Sequence, residues 1–324
     1  MTPPTDSPAI APRSTARPWI TCVVPAYNEA ESIAEFLCGL CAHLAGLSER
    51  FEVLVVDDGS IDATSQQVIA QPGPIRLLTL SRNFGKEAAI SAGLEEADGE
   101  VVVIIDADFQ HPFPVIDEFI EHWQQGYDMV YAVRRERNTD SKLRRQLSRM
   151  FYQIMSRMSS VRIPEDAGDF RLLDRKVVHA LRRVPESNRF MKGLYSWVGF
   201  RSIGISFTIE ERRSSSSKFN FLKLLDLATT GLTSFSNLPL RLWVGVGSLI
   251  SLLSIFYAIY ILMETLIFGN PLAGWATLVV AVTFLGGVQL LSIGILGEYL
   301  ARIFNEVKRR PNYIIAAKHG FPNE

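Results

Sequence analysis

The chain reads as an α/β protein, a mostly parallel sheet with helices on both faces, followed by two membrane-spanning helices. Three features of the sequence predict this. Short apolar, β-branched runs alternate with helical stretches from Trp19 to Val133, acidic turns follow several of those runs, and two uncharged apolar segments of 22 residues lie beyond residue 240. Parallel neighbours need a crossover, usually a helix, so strict alternation of the two element types yields a sheet covered on both faces.

Residues 1–18 hold five of the sixteen prolines, interleaved with Ser and Thr, and are expected to form a disordered tail. A basic start followed by an apolar run is missing, so they do not read as a signal peptide. Strands are expected at 19–25, 51–56, 75–80, 101–105 and 128–133, and helices from Glu29, over 62–70, over 86–97 and near 114–125. Residues 138–158 read as a basic helix, 166–174 as a polar turn and 202–210 as a late strand. Residues 19–217 then make up the catalytic domain. Residues 218–240, with Phe219, Leu222, Leu225 and Leu232 at helical spacing, form an amphipathic stretch suited to a membrane surface.

Residues 241–297 contain the spans Leu242–Met263 and Trp275–Leu296, each long enough for about 30 Å of hydrocarbon. The connecting loop Glu264–Gly274 has no Lys or Arg. Arg241 stands before the first span, and Arg302, Lys308, Arg309 and Arg310 follow the second. The positive-inside rule therefore predicts a multi-pass protein of the cytoplasmic (inner) membrane, with the catalytic domain, the 298–324 tail and both termini in the cytoplasm. Gly286, Gly287, Gly294 and Gly297 would permit close helix contacts and so a homo-oligomer. A net charge of −1 argues against a nucleic-acid partner held by bulk electrostatics. Cys38 and Cys41 fall at helical spacing and are expected to be buried free thiols, and no structural disulfide is expected.

Asp106-Ala107-Asp108 follows an almost continuously β-branched run. Two carboxylates at i and i+2 at a strand end suit a hard cation, and Gln110 adds a third oxygen. Mg²⁺ or Mn²⁺ held there would neutralise charge on a departing diphosphate. In Val55-Val56-Asp57-Asp58-Gly59-Ser60 another strand runs into an acidic turn. Asp58 there suits a nucleobase or ribose contact, and a helix cap near Ser60 explains the same residues equally well. In Val23-Val24-Pro25-Ala26-Tyr27-Asn28-Glu29, Tyr27 suits base stacking and Glu29 ribose hydroxyls. The plainer alternative makes Asn28 an N-cap and Glu29 a first-turn acid. Seven basic residues between Arg134 and Arg149 read either as a solvated helix face or as an anion site.

These motifs, with Leu80-Ser81-Arg82-Asn83-Phe84-Gly85-Lys86-Glu87, Asp106-Ala107-Asp108-Phe109-Gln110-His111-Pro112 and Asp166-Ala167-Gly168-Asp169-Phe170-Arg171, resemble the polyisoprenyl-phosphate glycosyltransferases of family 2. The resemblance covers roughly residues 19–310. The paired spans and the stretch Arg189–Phe200 look closest to the bactoprenol glucosyltransferase branch. It implies the GT-A fold, a nucleotide-sugar donor, a polyprenyl phosphate acceptor and a divalent metal. By this resemblance Pro25, Tyr27, Glu29, Asp58, Asp106, Ala107 and Asp108 bind the donor nucleotide. Asp106, Asp108 and Gln110 surround the metal, and Arg134, Arg144 and Ser148 face the acceptor phosphate. Arg212 and Lys218 close over the phosphates, and Asp169, Arg134 and Arg171 form the catalytic set. The stretch Arg212–Lys218 carries four serines where relatives have a glycine-containing turn.

The implied reaction is a single displacement with inversion, glucose passing from UDP-glucose to undecaprenyl phosphate. Transfer of mannose from GDP-mannose, or of an aminoarabinose, fits the same motifs. A processive polysaccharide synthase is disfavoured because the chain lacks Gln-x-x-Arg-Trp and further spans. A non-catalytic nucleotide-binding scaffold is disfavoured by the intact acidic motifs. Resemblance makes Asp169 the base, yet an acceptor phosphate with a second pKa of about 6 is already largely ionised at neutral pH.

Overall fold

The computed structural model describes residues 13, 17–134, 167–184, 186, 190–207, 274–321 and scattered positions between 249 and 267. Eight strands form one sheet: β1 Ile20–Ala26, β2 Phe51–Asp57, β3 Ile75–Leu80, β4 Val101–Ile104, β5 Met129–Arg134, β6 Ala167–Asp174, β7 Ser202–Phe207 and β8 Ile315–His319. Their order is β7-β5-β6-β4-β1-β2-β3-β8. The β4, β1, β2 and β3 strands run parallel, as do β5 and β7, while β6 and β8 are antiparallel to their neighbours.

The helices are α1 Ile33–Leu47, α2 Thr64–Ile69, α3 Lys86–Glu96, α4 Val115–Gln124, α5 Arg175–Arg182, α6 Met191–Trp197 and α7 Trp275–Val307. Helices α1 to α6 cover both faces of the sheet. Along β1, Ile20, Cys22, Val24 and Ala26 pack with Phe36, Leu40 and Phe119 of α1 and α4. Val23 faces the opposite core, with Ile90 and Leu94 of α3, Val177 of α5 and Leu194 of α6. A strand buried on both faces has no polar alternation, which is why β2 and β4 read as continuous apolar runs.

Several expectations are corrected. Residues 166–174 are not a turn: Ala167–Asp174 is strand β6, inserted antiparallel between β4 and β5. Phe170 and Leu172 enter one core and Leu173 the other, so period-two burial outweighs the polar Gly168, Asp169 and Arg171. Helix α1 begins four residues later than expected from Glu29. Asn28 has φ 55°, its amide donates to Ser60 Oγ (2.9 Å) and its Oδ1 accepts from the Ile61 amide (3.0 Å). Asn28 therefore ties two loops together and does not cap the helix. Cys38 is exposed, whereas Cys22 is buried and Cys41 half-buried. Burial pushes the Cys22 and Cys41 thiols up, away from thiolate reactivity.

Contacts also come from Arg13 and from the 298–324 segment; residues 1–12 and 14–16 lie outside the described residues. Arg13 donates to Asp128 Oδ1 (2.6 Å) and Tyr127 O (2.7 Å) and lies over the Trp123 ring. Within 298–324, β8 pairs with β3, and Tyr313, Ile315 and Phe321 pack against the α3 core. Helix α7 spans 33 residues, eleven beyond the expected end at Leu296, and so includes Arg302. Its window Phe284–Ala301 is the single stretch among the described residues long and apolar enough to cross a membrane. The described positions between 249 and 267 are helical. Residues 218–240 lie outside the described residues.

Candidate active site

The site assembles at the carboxyl ends of β1, β2 and β4, where parallel α/β sheets bind ligands. It begins with Asp58. Beyond the end of β2, its two carboxylate oxygens accept the amides of Phe84 (2.7 Å) and Gly85 (2.9 Å). Gly59 allows this loop to approach. It sits at φ 69°, and a Cβ there would collide with the Arg82 backbone. Asp57 accepts from the Ser60 amide (2.9 Å) and from Ser65 Oγ, holding its own turn. No helix starts at Ser60: α2 begins at Thr64 without a side-chain cap, so Asp57 closes a turn where a cap was expected, and Asp58 fixes the loop that starts α3. Burial raises the Asp58 pKa, against the pull of the two amides.

Lys86, the first residue of α3, is delivered by that loop. Its Nζ lies 2.7 and 2.8 Å from the two oxygens of Asp106 and 2.9 Å from Asp169 Oδ2. Asp106 follows β4, Asp169 sits on β6, and the antiparallel insertion of β6 brings them to one ammonium. Burial would push Lys86 down, but the two carboxylates more than offset it and hold the ammonium above its usual range. Burial would likewise raise Asp106 and Asp169. The neighbouring His111 ring and then Lys86 hold Asp106 well below the usual carboxylate range, and Lys86 with Lys192 holds Asp169 down. Both carboxylates stay ionised at neutral pH.

The turn after β4 is strained. Phe109 has φ 58°, a left-handed conformation unusual for an aromatic residue, and is held by an edge-to-face contact with Phe36 at 5.4 Å. Ala107 is buried. Asp108 Oδ1 accepts the Gln110 amide at 3.1 Å. His111 is buried between Phe170 and Phe207, with Nε2 3.7 Å from Asp106.

Behind Asp169 lies a buried ionisable shell. Arg171 donates to Gly168 O (2.5 Å) and lies 3.6 Å over the Tyr195 ring. Glu87 accepts the Met191 amide (3.2 Å), joining α3 to α6. Burial, and then the Asp169 charge, push the Glu87 carboxyl up to about 7. Asp169 Oδ1, Arg171 Nε and Tyr195 OH are buried without a hydrogen-bond partner.

Of the other expected residues, Pro25 is half-buried and Tyr27 is 43% exposed. Glu29 Oε2 accepts from Ser32 Oγ (2.9 Å), and its amide donates to Thr64 Oγ1 (2.9 Å). Arg134 ends β5, its backbone in register with Phe207. Arg144, Ser148, Arg212 and Lys218 lie outside the described residues. Lys86 and Glu87 received no role from the sequence, although both stand in its Leu80–Glu87 motif. Their signal was the placement of a charged pair directly after a Gly-containing turn.

Among the described residues no three His, Cys, Asp or Glu side chains are grouped to hold a metal. Asp106 and Asp108 supply two hard-oxygen donors, and Asp106 already turns both oxygens toward a cation, the Lys86 ammonium. That donor set fits a hard divalent ion completed by ligand oxygens.

Residues 21–182 match the model of glycosyl transferase family 2, and 238–303 that of the GtrB C-terminal hairpin. The SfII prophage-derived bactoprenol glucosyl transferase of Shigella flexneri is 44% identical over 303 residues, 93% of this chain and 98% of that protein. An uncharacterized glycosyltransferase of Synechocystis is 44% identical over 300 residues, 92% and 94% of the two chains. Among solved structures, a Pyrobaculum calidifontis mannosyltransferase in complex with GDP-Man and Mn²⁺ superposes with a TM-score of 0.45 at 23% identity, over 66% of this chain and 62% of that one. A sheet with its acidic strand ends gathered in one place, a family model over half the sequence and near-complete relatives together assign this chain to glycosyl transferase family 2, with a GtrB-type hairpin at its C-terminal side.

Proposed function

We propose that the protein transfers a hexose, glucose from UDP-glucose, with inversion onto undecaprenyl phosphate, making a lipid-linked sugar for cell-envelope glycan modification. The observation that carries the reading is the meeting of Asp106, at the end of β4, and Asp169, on β6, at one ammonium. The lipid acceptor and the glucose are supported by the bactoprenol glucosyl transferases, similar over almost their whole length. Mannose from GDP-mannose and an aminoarabinose donor remain the competing substrates.

Asp106 and Asp108, with Gln110, would hold Mg²⁺ or Mn²⁺, which supplies charge neutralisation to the leaving diphosphate when bound. Pro25, Tyr27, Glu29 and Asp58 border the nucleoside end, Asp58 acting through the loop it fixes. Asp169 faces the reacting centre and orients the acceptor or a sugar hydroxyl. With the phosphate largely ionised, positioning and charge stabilisation outweigh proton removal. Arg134, Arg144 and Ser148 receive the acceptor phosphate, and Arg212 and Lys218 close over donor and acceptor phosphates.

Connectivity supports the proposed membrane arrangement. Helix α7 ends at Val307 and β8 begins at Ile315, so residues 308–314 bridge at most roughly 25 Å. The C-terminal end of the membrane helix and the catalytic sheet then share one side, the cytoplasmic side where nucleotide sugars and Lys308, Arg309 and Arg310 belong.

Incubation of the purified protein with radiolabelled nucleotide sugars and undecaprenyl phosphate tests the reading. Label should move to the organic phase with UDP-glucose, stop in EDTA and fall to background in Asp108→Ala. Transfer from another donor changes the substrate, full activity in chelator removes the metal, and no transfer with any donor removes the enzyme reading.

A further inference from the structure

Lys86 holds three carboxylate oxygens, two of Asp106 and one of Asp169, within 2.7–2.9 Å of a single ammonium. That satisfies all three of its donors. A divalent ion entering at Asp106 competes with the ammonium for the same oxygens, and the two like charges repel each other at that distance. Lys86 has a means of leaving. Its side chain is 42% exposed, and a lysine ammonium sits on a flexible four-carbon stem. Asp169 is the better buried of its two partners, with a side chain 15% exposed against 26% for Asp106. It can serve as a pivot when Asp106 is withdrawn.

Charge gives the ammonium a destination. Asp106, Asp169 and Lys86 sum to one negative charge. A divalent ion at Asp106 reverses that sign, and an incoming phosphate then becomes attractive to a lysine no longer neutralised by Asp106. Arg171, also beside Asp169, is buried and committed to Gly168 O and the Tyr195 ring, so it cannot follow the substrate.

We propose that Lys86 is a substrate phosphate-binding residue that the ligand-free site keeps parked on Asp106 and Asp169, and that arrival of the divalent ion at Asp106 releases it to a phosphoryl oxygen. This rests on the cation reading of Asp106 above. The phosphate is either the donor diphosphate or the acceptor monoester; the chemistry of recognition is common to both.

Two measurements on the full-length detergent-solubilised protein test it, neither requiring turnover. Titration with Mn²⁺ alone, followed by the electron paramagnetic resonance of the free ion, should show Lys86→Met and Lys86→Gln binding roughly tenfold more tightly than the parent, because the competing ammonium is gone. In the unmutated protein, reductive methylation of Lys86 read by mass spectrometry should rise severalfold on adding Mn²⁺. It should fall again on adding either UDP or a short-chain polyprenyl phosphate, and the one that restores protection identifies the phosphate. Unchanged Mn²⁺ affinity in both variants, or a Lys86 whose reactivity ignores Mn²⁺, overturns the competition. Reactivity that rises with Mn²⁺ and is protected by neither phosphate overturns the phosphate role. A parent and variants that bind no Mn²⁺ at all remove the cation reading, and this proposal with it.

Discussion

Asp169 contacts Lys86 at 2.9 Å and carries its other oxygen buried and unpartnered, so its charge serves the site more than the fold. Asp169→Asn keeps the shape and loses that charge. Turnover should drop by about two orders of magnitude, equally from about pH 6 to pH 8, because the acceptor phosphate is already ionised. A rate recovered at high pH would reinstate Asp169 as base, and an unchanged rate would deny it any catalytic role. Glu87, one residue beyond Lys86, gives a stability prediction. Its native carboxyl is pushed up to about 7 from an ordinary 4.5, so between those values the native state holds a proton that the unfolded chain has released. Stability from this group is complete below about pH 4.5 and lost as pH rises through about 7. Glu87→Gln mimics the protonated form and keeps an acceptor for the Met191 amide. Thermal unfolding should show it more stable than the parent at pH 8, by about 1–3 kcal/mol, with no gain at pH 4. Parallel pH profiles for the two proteins would refute the shift.

At the scale of elements, β8 closes the β3 edge, and Ile314, just before it, accepts the Ser81 amide (2.9 Å). It thus seals an aggregation-prone edge and braces the loop that leads to Lys86. Lys318 adds an ion pair to Glu96 at 2.9 Å, and the Phe321 ring lies under Arg76. Truncation after Arg310 should lower the unfolding midpoint by roughly 5–10 °C, equivalent to about 3 kcal/mol. It should also reduce donor affinity. A truncated protein with the parent's midpoint would show that β8 is only a passive cover. Strand β6 illustrates why elements were partly illegible. Gly168, Asp169 and Arg171 look like a turn in sequence, and they become strand because Phe170, Leu172 and Leu173 find a core on each side. That requirement exists only once β4 and β5 are in place on either side. The strands β1 to β5, whose apolar runs carry their own burial signal, were legible to within one or two residues.

At the scale of the whole molecule, the proposed membrane arrangement puts the sheet on the side where α7 ends, because a short connection joins α7 to β8. The loop Glu264–Gly274 should then face the opposite side. A cysteine introduced by Asn270→Cys should react with an impermeant maleimide on intact cells, whereas the native exposed Cys38 should react only after lysis. Reaction of Cys38 on intact cells would reverse the orientation.

The sequence by itself determined the α/β class, the acidic strand ends and the apolar spans, because each depends on local periodicity or on residues adjacent in the chain. It also singled out Asp58, Asp106, Asp108 and Asp169 through their motifs. The tertiary structure decided what those residues touch. Asp58 proved to hold the loop before α3, Lys86 to stand between Asp106 and Asp169, and the C-terminal segment to return to the sheet. Those pairings join positions 20 to more than 200 residues apart, and no local pattern encodes a contact made by sheet order. Lys86 was readable as a charged residue at a helix start. Its place as the cation between two strands is a property of the folded sheet.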